Sequence, residues 1–423
     1  MLIQFTVGNF LSFNKKRTLN MEAQGISELK TNFFTFQKEK ILRSSVIYGA
    51  NSSGKSNLIK AMERMREVIL TSVRLNDSDE LKYSPFLLSS ESEKQPTFFE
   101  MVFLKDNDRY RYGFEYSLVE IESEWLFSGK SEKNEKPLFI RTIDGIGISD
   151  KFKEGEGFES KTNNNRLFIS LVAQLGGECS KKVIEFFKEY NVLSGLEHND
   201  YNGYTTKMLY KNLSGCDESL ELFQKLKLGF QKIQTIETDS NPLIIQNLQS
   251  TNFKIGVRVI KESDDQKNII LKTVHNKFDK DGNIIASVLL DKKNNESEGT
   301  NKIIDLSGPI FDTLKNGKIL IVDELDAKLH PLITIRIVEL FNDPRTNMNN
   351  AQLIFATHDT NLLGETLFRR DQIWFTEKDE QEQTDLYSLY DFNLPDGSKV
   401  RNDSNIEKNY IRGRYGAIPF ITN

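Results

Sequence analysis

Short apolar runs dominate the start of the chain. Ile3, Phe5, Val7, Phe10, Leu11 and Phe13 alternate or cluster between polar positions, predicting a strand, a turn through Gly8-Asn9 or Ser12-Phe13-Asn14, and a further strand. Ser45-Val46-Ile47-Tyr48 is another strand-like run. Over residues 56–70 the period becomes helical, with Leu58, Met62, Met65 and Ile69 on the face expected to meet a sheet and Lys60, Glu63, Arg64 and Glu67 turned outward. Residues 98–104 and 109–119 return to strand character around Asp106-Asn107-Asp108, a hairpin-turn signal. Phe98, Phe99, Phe103, Tyr110, Tyr112, Phe114 and Tyr116 make an aromatic stripe on these strands. Sheet packing is its favoured use over base stacking, which needs basic residues interleaved at comparable density.

Residues 120–165 carry many charges, several glycines and short strand-like pieces such as Pro137-Leu138-Phe139-Ile140, the pattern of a boundary, hairpin excursion or rim. Residues 167–175, 182–190 and 219–228 have helical spacing, and Gly195, Gly203, Gly215 and Gly229 divide this part of the chain. Short interrupted helices predict a small lid or arm, not an extended coiled coil. Residues 253–260 and 268–275 read as paired strands, and Asp281-Gly282 as the turn before the apolar run 284–290. Residues 319–322 are uninterrupted aliphatics, suiting a central parallel strand, and 351–356 and 386–390 are strand-like too.

Composition narrows the class. With 423 residues there is room for more than one packed unit, and 38% hydrophobic with 28% charged residues is a globular balance. The net charge of −5, from 56 basic and 61 acidic residues, argues against a generally cationic nucleic-acid-binding surface but allows a local basic groove. No run suits a membrane span, and Met1-Leu2-Ile3-Gln4-Phe5 lacks the basic start and apolar run of a secretory signal. Cys179 and Cys216 have no metal-ligand spacing, so a reducing, cytoplasmic setting is the economical expectation.

The candidate chemistry begins where the second strand meets the first helix. Gly49-Ala50-Asn51-Ser52-Ser53-Gly54-Lys55-Ser56-Asn57 fits G-x-x-x-x-G-K-[ST], a loop whose backbone N–H groups surround phosphates at a helix N-terminus. Lys55 is expected against the β- and γ-phosphates and the Ser56 hydroxyl on Mg²⁺. An ordinary Gly/Ser turn is the alternative, and the strand–loop–helix context disfavours it. Asp323 and Glu324 end an aliphatic strand, as ligand-facing carboxylates do in parallel sheets. Asp323 is expected to orient the Mg²⁺ shell and Glu324 to polarise the water attacking the γ-phosphorus. Alone, this pair would equally be a solvated turn; joined to the phosphate loop, it points to nucleotide hydrolysis. His358, just past the third aliphatic strand, is within expected reach of the terminal phosphate or Glu324.

With these residues in place, the sequence resembles ABC-type ATPases of the chromosome-maintenance and DNA-repair class. It looks more like the compact prokaryotic AAA-15/AAA-21 group associated with abortive infection and phage defence. The resemblance covers Asn9-Phe10-Leu11-Ser12-Phe13, the phosphate loop, Glu296-Ser297-Glu298-Gly299-Thr300, residues 318–331, Thr357-His358-Asp359 and Ile411-Arg412-Gly413-Arg414-Tyr415-Gly416-Ala417-Ile418-Pro419. It implies an α/β fold: an ABC-type P-loop NTPase head with an antiparallel β subdomain and an inserted helical lid. The expected organisation is an N-terminal ATPase lobe over residues 1–119, an inserted rim and helical lid or arm over 120–253, and a C-terminal lobe over 254–423. That last lobe would carry the signature, the Walker B strand and the switch histidine.

The resemblance gives Ser297 and Gly299 a role as a degenerate signature facing the nucleotide held by a second subunit, with Glu298 standing where the commoner form has glycine; a charged turn ahead of Lys302-Ile303-Ile304 is the alternative. It matches Asp326 to the loop that communicates between the two sites. His330-Pro331 fits the same group, although helix capping is an equal reading for it. Gln95 and Gln174 are alternatives for the coupling-loop glutamine. The implied cofactors are ATP and Mg²⁺, and the implied self-association is a head-to-tail pair through composite ATP sites. The implied function is a sensor, scaffold or regulator of a separate toxic effector, with a nuclease the leading candidate, in abortive infection. A DNA-repair or DNA-translocating ATPase acting directly on nucleic acid, and a nucleotide-gated structural complex with little turnover, are the alternatives. No membrane partner is expected. Arg401, Arg412 and Arg414 are open to an acidic nucleic-acid backbone, a partner carboxylate or surface salt bridges.

Overall fold

A computed structural model describes residues 1–196, 201–238, 268–364, 366–394, 397–401 and 404–419. Contacts divide the chain into two compact units, Met1–Glu197 with Asp312–Asn423, and His198–Phe311. The first unit opens with β1 (Leu2–Gly8), β2 (Arg17–Asn20), β3 (Phe33–Phe36), β4 (Glu39–Leu42), β5 (Ser44–Gly49) and α1 (Lys55–Thr71). It continues through β6 (Thr97–Lys105), β7 (Asp108–Tyr116), β8 (Ile121–Gly129), β9 (Lys136–Thr142), β10 (Gly145–Ile148), α2 (Phe168–Gln174), α3 (Glu178–Glu189) and β11 (Tyr190–Ser194). The second unit holds α4 (Asn202–Tyr210), α5 (Cys216–Leu226), β12 (Lys232–Thr238), β13 (Asn268–Phe278), β14 (Ile284–Asp291), α6 (Lys292–Asn295) and most of α7 (Glu298–Asn316). The chain then returns to the first with β15 (Ile319–Asp323), α8 (Pro331–Asn342), β16 (Gln352–Ala356), α9 (Asn361–Gly364), β17 (Ile373–Lys378), β18 (Thr384–Ser388) and α10 (Ile406–Ile411).

Two sheets build the first unit. One is antiparallel, in the order β10-β9-β8-β7-β6-β1-β2. The other runs β11-β15-β16-β5-β17-β18, parallel throughout except for the antiparallel edge strand β18. Every residue of β5 is buried, and its two serines are bonded: Ser44 Oγ donates to Asn342 Oδ1 at 2.8 Å and Ser45 Oγ to the Gln372 carbonyl at 3.3 Å. Leu58, Met62, Met65 and Ile69 of α1 are all buried in one apolar cluster shared with both sheets, α2 and α3. Each such side chain contributes about 1.5–3 kcal/mol on leaving water. Six of the seven aromatic-stripe residues lie in the same cluster, while Phe98 is partly exposed and meets Trp125, so packing is the stripe's use. Asp106 and Asn107 adopt positive φ of 50° and 69°, the backbone of a tight two-residue hairpin loop between β6 and β7.

Several elements differ from the sequence reading. Residues 121–148, read as a rim or excursion, form three strands that extend the antiparallel sheet; of their charged side chains Glu124 and Arg141 are buried, Glu124 accepting from the Phe168 and Ile169 amides. β11, β12 and β17 carry no strand reading at all. β11 follows α3 without a turn signal and becomes a strand by pairing in parallel with β15, from Tyr190 with Ile319 to Ser194 with Asp323. β17 lies beside β5, between it and the edge. In the second unit β13 pairs with β12 on one side and β14 on the other, while the expected strand at 253–260 lies outside the described residues. Among the described residues Phe223, Leu271 and Ile304 form one buried apolar cluster of that unit.

Candidate nucleotide-binding site

The phosphate loop is built by close approaches that glycine alone permits. Gly54 precedes α1 with φ 115°, where any Cβ would run into the Thr384 side chain. A Cβ on Gly49 would lie 2.5 Å from the Thr376 carbonyl oxygen. Both neighbours come from β17 and β18, which thus set the loop's outer wall. Ser53 Oγ lies 2.6 Å from Thr376 Oγ1, and the Thr384 hydroxyl donates to the Ser53 carbonyl at 2.9 Å. Ser12, in the Asn9–Phe13 turn, accepts from Asn57 Nδ2 at 2.7 Å and sits 2.7 Å from Thr384 Oγ1, while its carbonyl accepts from the Thr384 amide at 2.7 Å. The N-terminal motif is therefore a strut between the loop's helix and β18. Its fold is fixed by Asn9, whose side chain donates to the Ser92 and Gln95 carbonyls at 2.8 and 2.5 Å and accepts from the Phe86 amide at 3.0 Å.

Lys55 is 5% exposed and turns its ammonium onto its own loop, donating to the Gly49 carbonyl at 2.8 Å and the Ala50 carbonyl at 3.0 Å. Burial pushes its pKa down to about 8, against the opposing pull of Asp323, Glu324 and Asp326. Those carboxylates arrive from β15. Asp323 Oδ1 and Asp326 Oδ1 are buried without a hydrogen-bond partner among the described residues. Glu324 has φ 54°, and the chain turns through Ala327 N to Glu324 O (3.1 Å) and Leu329 N to Asp326 O (2.9 Å). The Leu325 amide, donating to the Ala356 carbonyl at 3.1 Å, pins this turn to the end of β16.

His358 follows β16. Partial burial and the nearby Lys55 charge lower its pKa, while Asp326, Glu324 and Asp323 pull the other way. An open pocket of ≈ 500 Å³ is lined by Asn51, Ser52, Ser53, Gly54, Lys55, Ser56, Asn57, Glu324, His358 and Lys378. The fold thus brings the phosphate loop, Glu324 and His358 onto one cavity, with Asp323 and Asp326 close enough to act on Lys55. Gln95 and Gln174 are not among the lining residues.

Two residues here escaped the sequence reading. Gly195, read only as a break between helices, donates its amide to the Asp323 carbonyl at 2.6 Å, and a Cβ there would overlap the Glu324 carbonyl oxygen. Lys378 ends β17; the apolar run Ile373-Trp374-Phe375 was the available signal for that strand.

The donor set fits a magnesium nucleotide. A buried ammonium beside a glycine-rich loop suits phosphate, and the unpartnered Asp323 oxygen together with the Ser56 hydroxyl suits a hard cation. Among the described residues no cluster of three or more His, Cys, Asp or Glu side chains is arranged to hold a metal alone. A magnesium ion bound with phosphates needs only one or two carboxylates.

Ser297 and Gly299 belong to the second unit. Ser297 caps α7: its Oγ accepts from the Thr300 amide at 3.1 Å and lies 2.9 Å from Thr300 Oγ1. The preceding residue, Glu296, is tied to β13 through the Thr273 hydroxyl at 2.5 Å and His275 Nε2 at 2.8 Å. His330 caps α8, its Nδ1 accepting from the Leu332 amide at 3.2 Å, with Pro331 opening the helix. The terminal motif packs behind the loop's strand. Tyr410 lies 5.3 Å from Phe375 and 5.6 Å from Tyr48 between ring centroids, and its hydroxyl donates to the Ala417 carbonyl at 3.0 Å. No described helix is long and apolar enough to cross a membrane.

This sheet order and phosphate loop define a mixed α/β head of the ABC ATPase type with helical insertions. The family model described as "AAA domain, putative AbiEii toxin, Type IV TA system" matches residues 44–364, and the chain belongs to this AAA_21 family. Among solved structures, the chain aligns with an Smc head bound to the C-winged helix domain of ScpA (TM-score 0.46, 13% identity, 92% of this chain and 97% of that one). It also aligns with the SMC head domain from Thermotoga maritima (TM-score 0.40, 12% identity, 92% and 98%) and with the recombination mediator protein RecF with ATPrS (0.32, 12%, 91% and 98%). At these scores the alignments decide nothing about function. No curated protein matches the sequence.

Proposed function

We propose that this chain binds and hydrolyses ATP with Mg²⁺ and uses that cycle to regulate a separate effector in abortive infection. One observation carries the ATPase reading: the buried Lys55 ammonium shares a single pocket with Glu324 and His358. In this reading the loop amides of residues 51–56 and Lys55 hold the phosphates. Lys55 already points along its loop, so little side-chain ordering is left for binding. Mg²⁺, held by Ser56 and Asp323, would neutralise developing phosphate charge. Glu324 polarises the attacking water. His358, kept neutral by its surroundings, has a ring N–H to offer where charge develops on the terminal phosphate.

A second copy would supply Ser297 and Gly299 to complete each site, with Asp326 relaying between the two. Ser297 caps α7 through its oxygen and shares a hydroxyl–hydroxyl bond with Thr300, so its proton would turn from Thr300 to a phosphate oxygen when the second copy docks. The family description, with its AbiEii toxin and type IV toxin–antitoxin context, supports the defence assignment. Glu324→Gln is expected to lower turnover at least about a hundredfold while the protein still retains ATP. Lys55→Ala is expected to abolish ATP binding measured by calorimetry. Unchanged turnover in the first variant or unchanged binding in the second would overturn the assignment. Purification with the products of neighbouring genes, followed by ATP turnover and complex size, tests for the effector; a chain that never associates with any of them would leave the regulatory reading without support.

A further inference from the structure

β17 pairs in parallel with β5, Trp374 opposite Ile47, Phe375 opposite Tyr48 and Thr376 opposite Gly49. Side chains two apart on a strand share a face, so Thr376, which contacts Ser53 of the phosphate loop, and Lys378 point the same way. Lys378 accordingly lines the cavity that holds Lys55. It reaches that position from a strand outside the loop motif, which brings a second cation to the phosphate end of the site.

Among the described residues Lys378 pairs with Glu382, 3.3 Å away within the β17–β18 hairpin, with the two side chains 30% and 65% exposed. Pairs this exposed contribute little and exchange readily. The adjacent hairpin carboxylate, Asp379, accepts the Gln381 and Gln383 backbone amides on its Oδ1 at 2.9 and 3.0 Å. A nucleotide polyphosphate carries more negative charge than one exposed carboxylate.

We propose that Lys378 is a phosphate-binding residue of the nucleotide site, held by Glu382 in this structure and transferred to the phosphates when nucleotide binds. The proposal rests on the reading of the pocket as a nucleotide site. It makes Glu382 a competitor for Lys378, so the two residues should act on binding with opposite signs.

Calorimetric titration of the full chain with ATP and Mg²⁺ tests it. Lys378→Ala is expected to weaken binding about tenfold, the scale of one charge-assisted contact, and Lys378→Arg to keep most of the affinity. Glu382→Gln is expected to tighten binding about twofold, and to do so only when Lys378 is present. The wild type should also lose affinity with salt more steeply than Lys378→Ala. Wild-type affinity in Lys378→Ala, or equal tightening by Glu382→Gln in the Lys378→Ala background, overturns the proposal. Thermal midpoints without nucleotide identify a folding failure in Lys378→Ala; the Arg and Gln variants then decide alone. A wild-type chain that binds no ATP overturns the nucleotide reading itself, whereas a wild type that binds and a Lys378→Ala variant that binds equally overturn only the role of Lys378.

Discussion

Lys55 shows what burial costs a charged side chain in the proposed phosphate site. Its pKa of about 8 lies below the ordinary lysine value of 10.5, so keeping the charge lowers stability, in full below about pH 8 and less and less as pH rises toward 10.5. Lys55→Met is therefore expected to stabilise the nucleotide-free protein by about 1–3 kcal/mol, less whatever its bonds to the Gly49 and Ala50 carbonyls contribute. The same change should erase any thermal shift on adding ATP. A lowered midpoint without nucleotide would mean that those two bonds outweigh desolvation. His358 is linked to the same charge. Its folded-state pKa is depressed below 6.5, so the unfolded chain takes up a proton that the folded one resists, and stability falls as pH drops through that value. Proton NMR titration should place its imidazole below 6.5 and find it shifted upward in Lys55→Met; a midpoint at or above 6.5 in the wild type would contradict this. At this scale the sequence was most informative, because a phosphate loop is a local motif whose spacing alone puts Gly49, Gly54, Lys55 and Ser56 in order. Gly195 and Lys378 carried no such signal. Their importance comes from strands that pair with partners more than a hundred residues away.

Among elements, β11, β17 and β18 act as the walls against which the site is cast. Gly195→Ala would drive a methyl into the Glu324 carbonyl, and strand pairing with β15 leaves the backbone little room to yield. Destabilisation of about 3 kcal/mol or more is expected in denaturant titration, with loss of turnover even where the protein folds. A variant of wild-type stability would mean that the end of β11 can move freely. Thr384→Val keeps the shape of the side chain but removes the hydroxyl shared with Ser12 and the Ser53 carbonyl. It should cost about 1–2 kcal/mol and loosen nucleotide binding, read by the same titration with and without ATP. If ATP binding holds while stability falls, the strut supports the fold alone. The edge strand thus explains why the Asn9–Phe13 motif and the phosphate loop occur together: each is bonded to Thr384.

At the scale of the whole molecule, the proposed cycle requires two copies. Glu324→Gln with ATP and Mg²⁺ should run as a dimer in light scattering and return to monomer when ATP is withdrawn. Head-to-tail sites also predict complementation. Lys55→Ala and Ser297→Arg chains, each inactive alone, should recover about a quarter of wild-type turnover when mixed equally, since half of the dimers are mixed and each holds one intact site. No recovery, with both chains folded, would place the signature elsewhere.

Local order along the chain was enough to mark the two halves of the proposed site, a glycine-rich loop after one aliphatic strand and a carboxylate pair after another, because both are short and stand at strand ends. The alternation of buried and exposed positions likewise set α1 and the β6–β7 hairpin, because each has its own short period along the chain whatever it packs against. Tertiary structure alone decided that Glu324 and His358 share a cavity with Lys55, and that Gly195 must lack a side chain. It alone made β11 and β17 strands and set Lys378 beside the phosphate loop. These are facts of parallel pairing, in which hydrogen-bonded partners lie far apart along the chain and no local pattern specifies which strand will lie next to which.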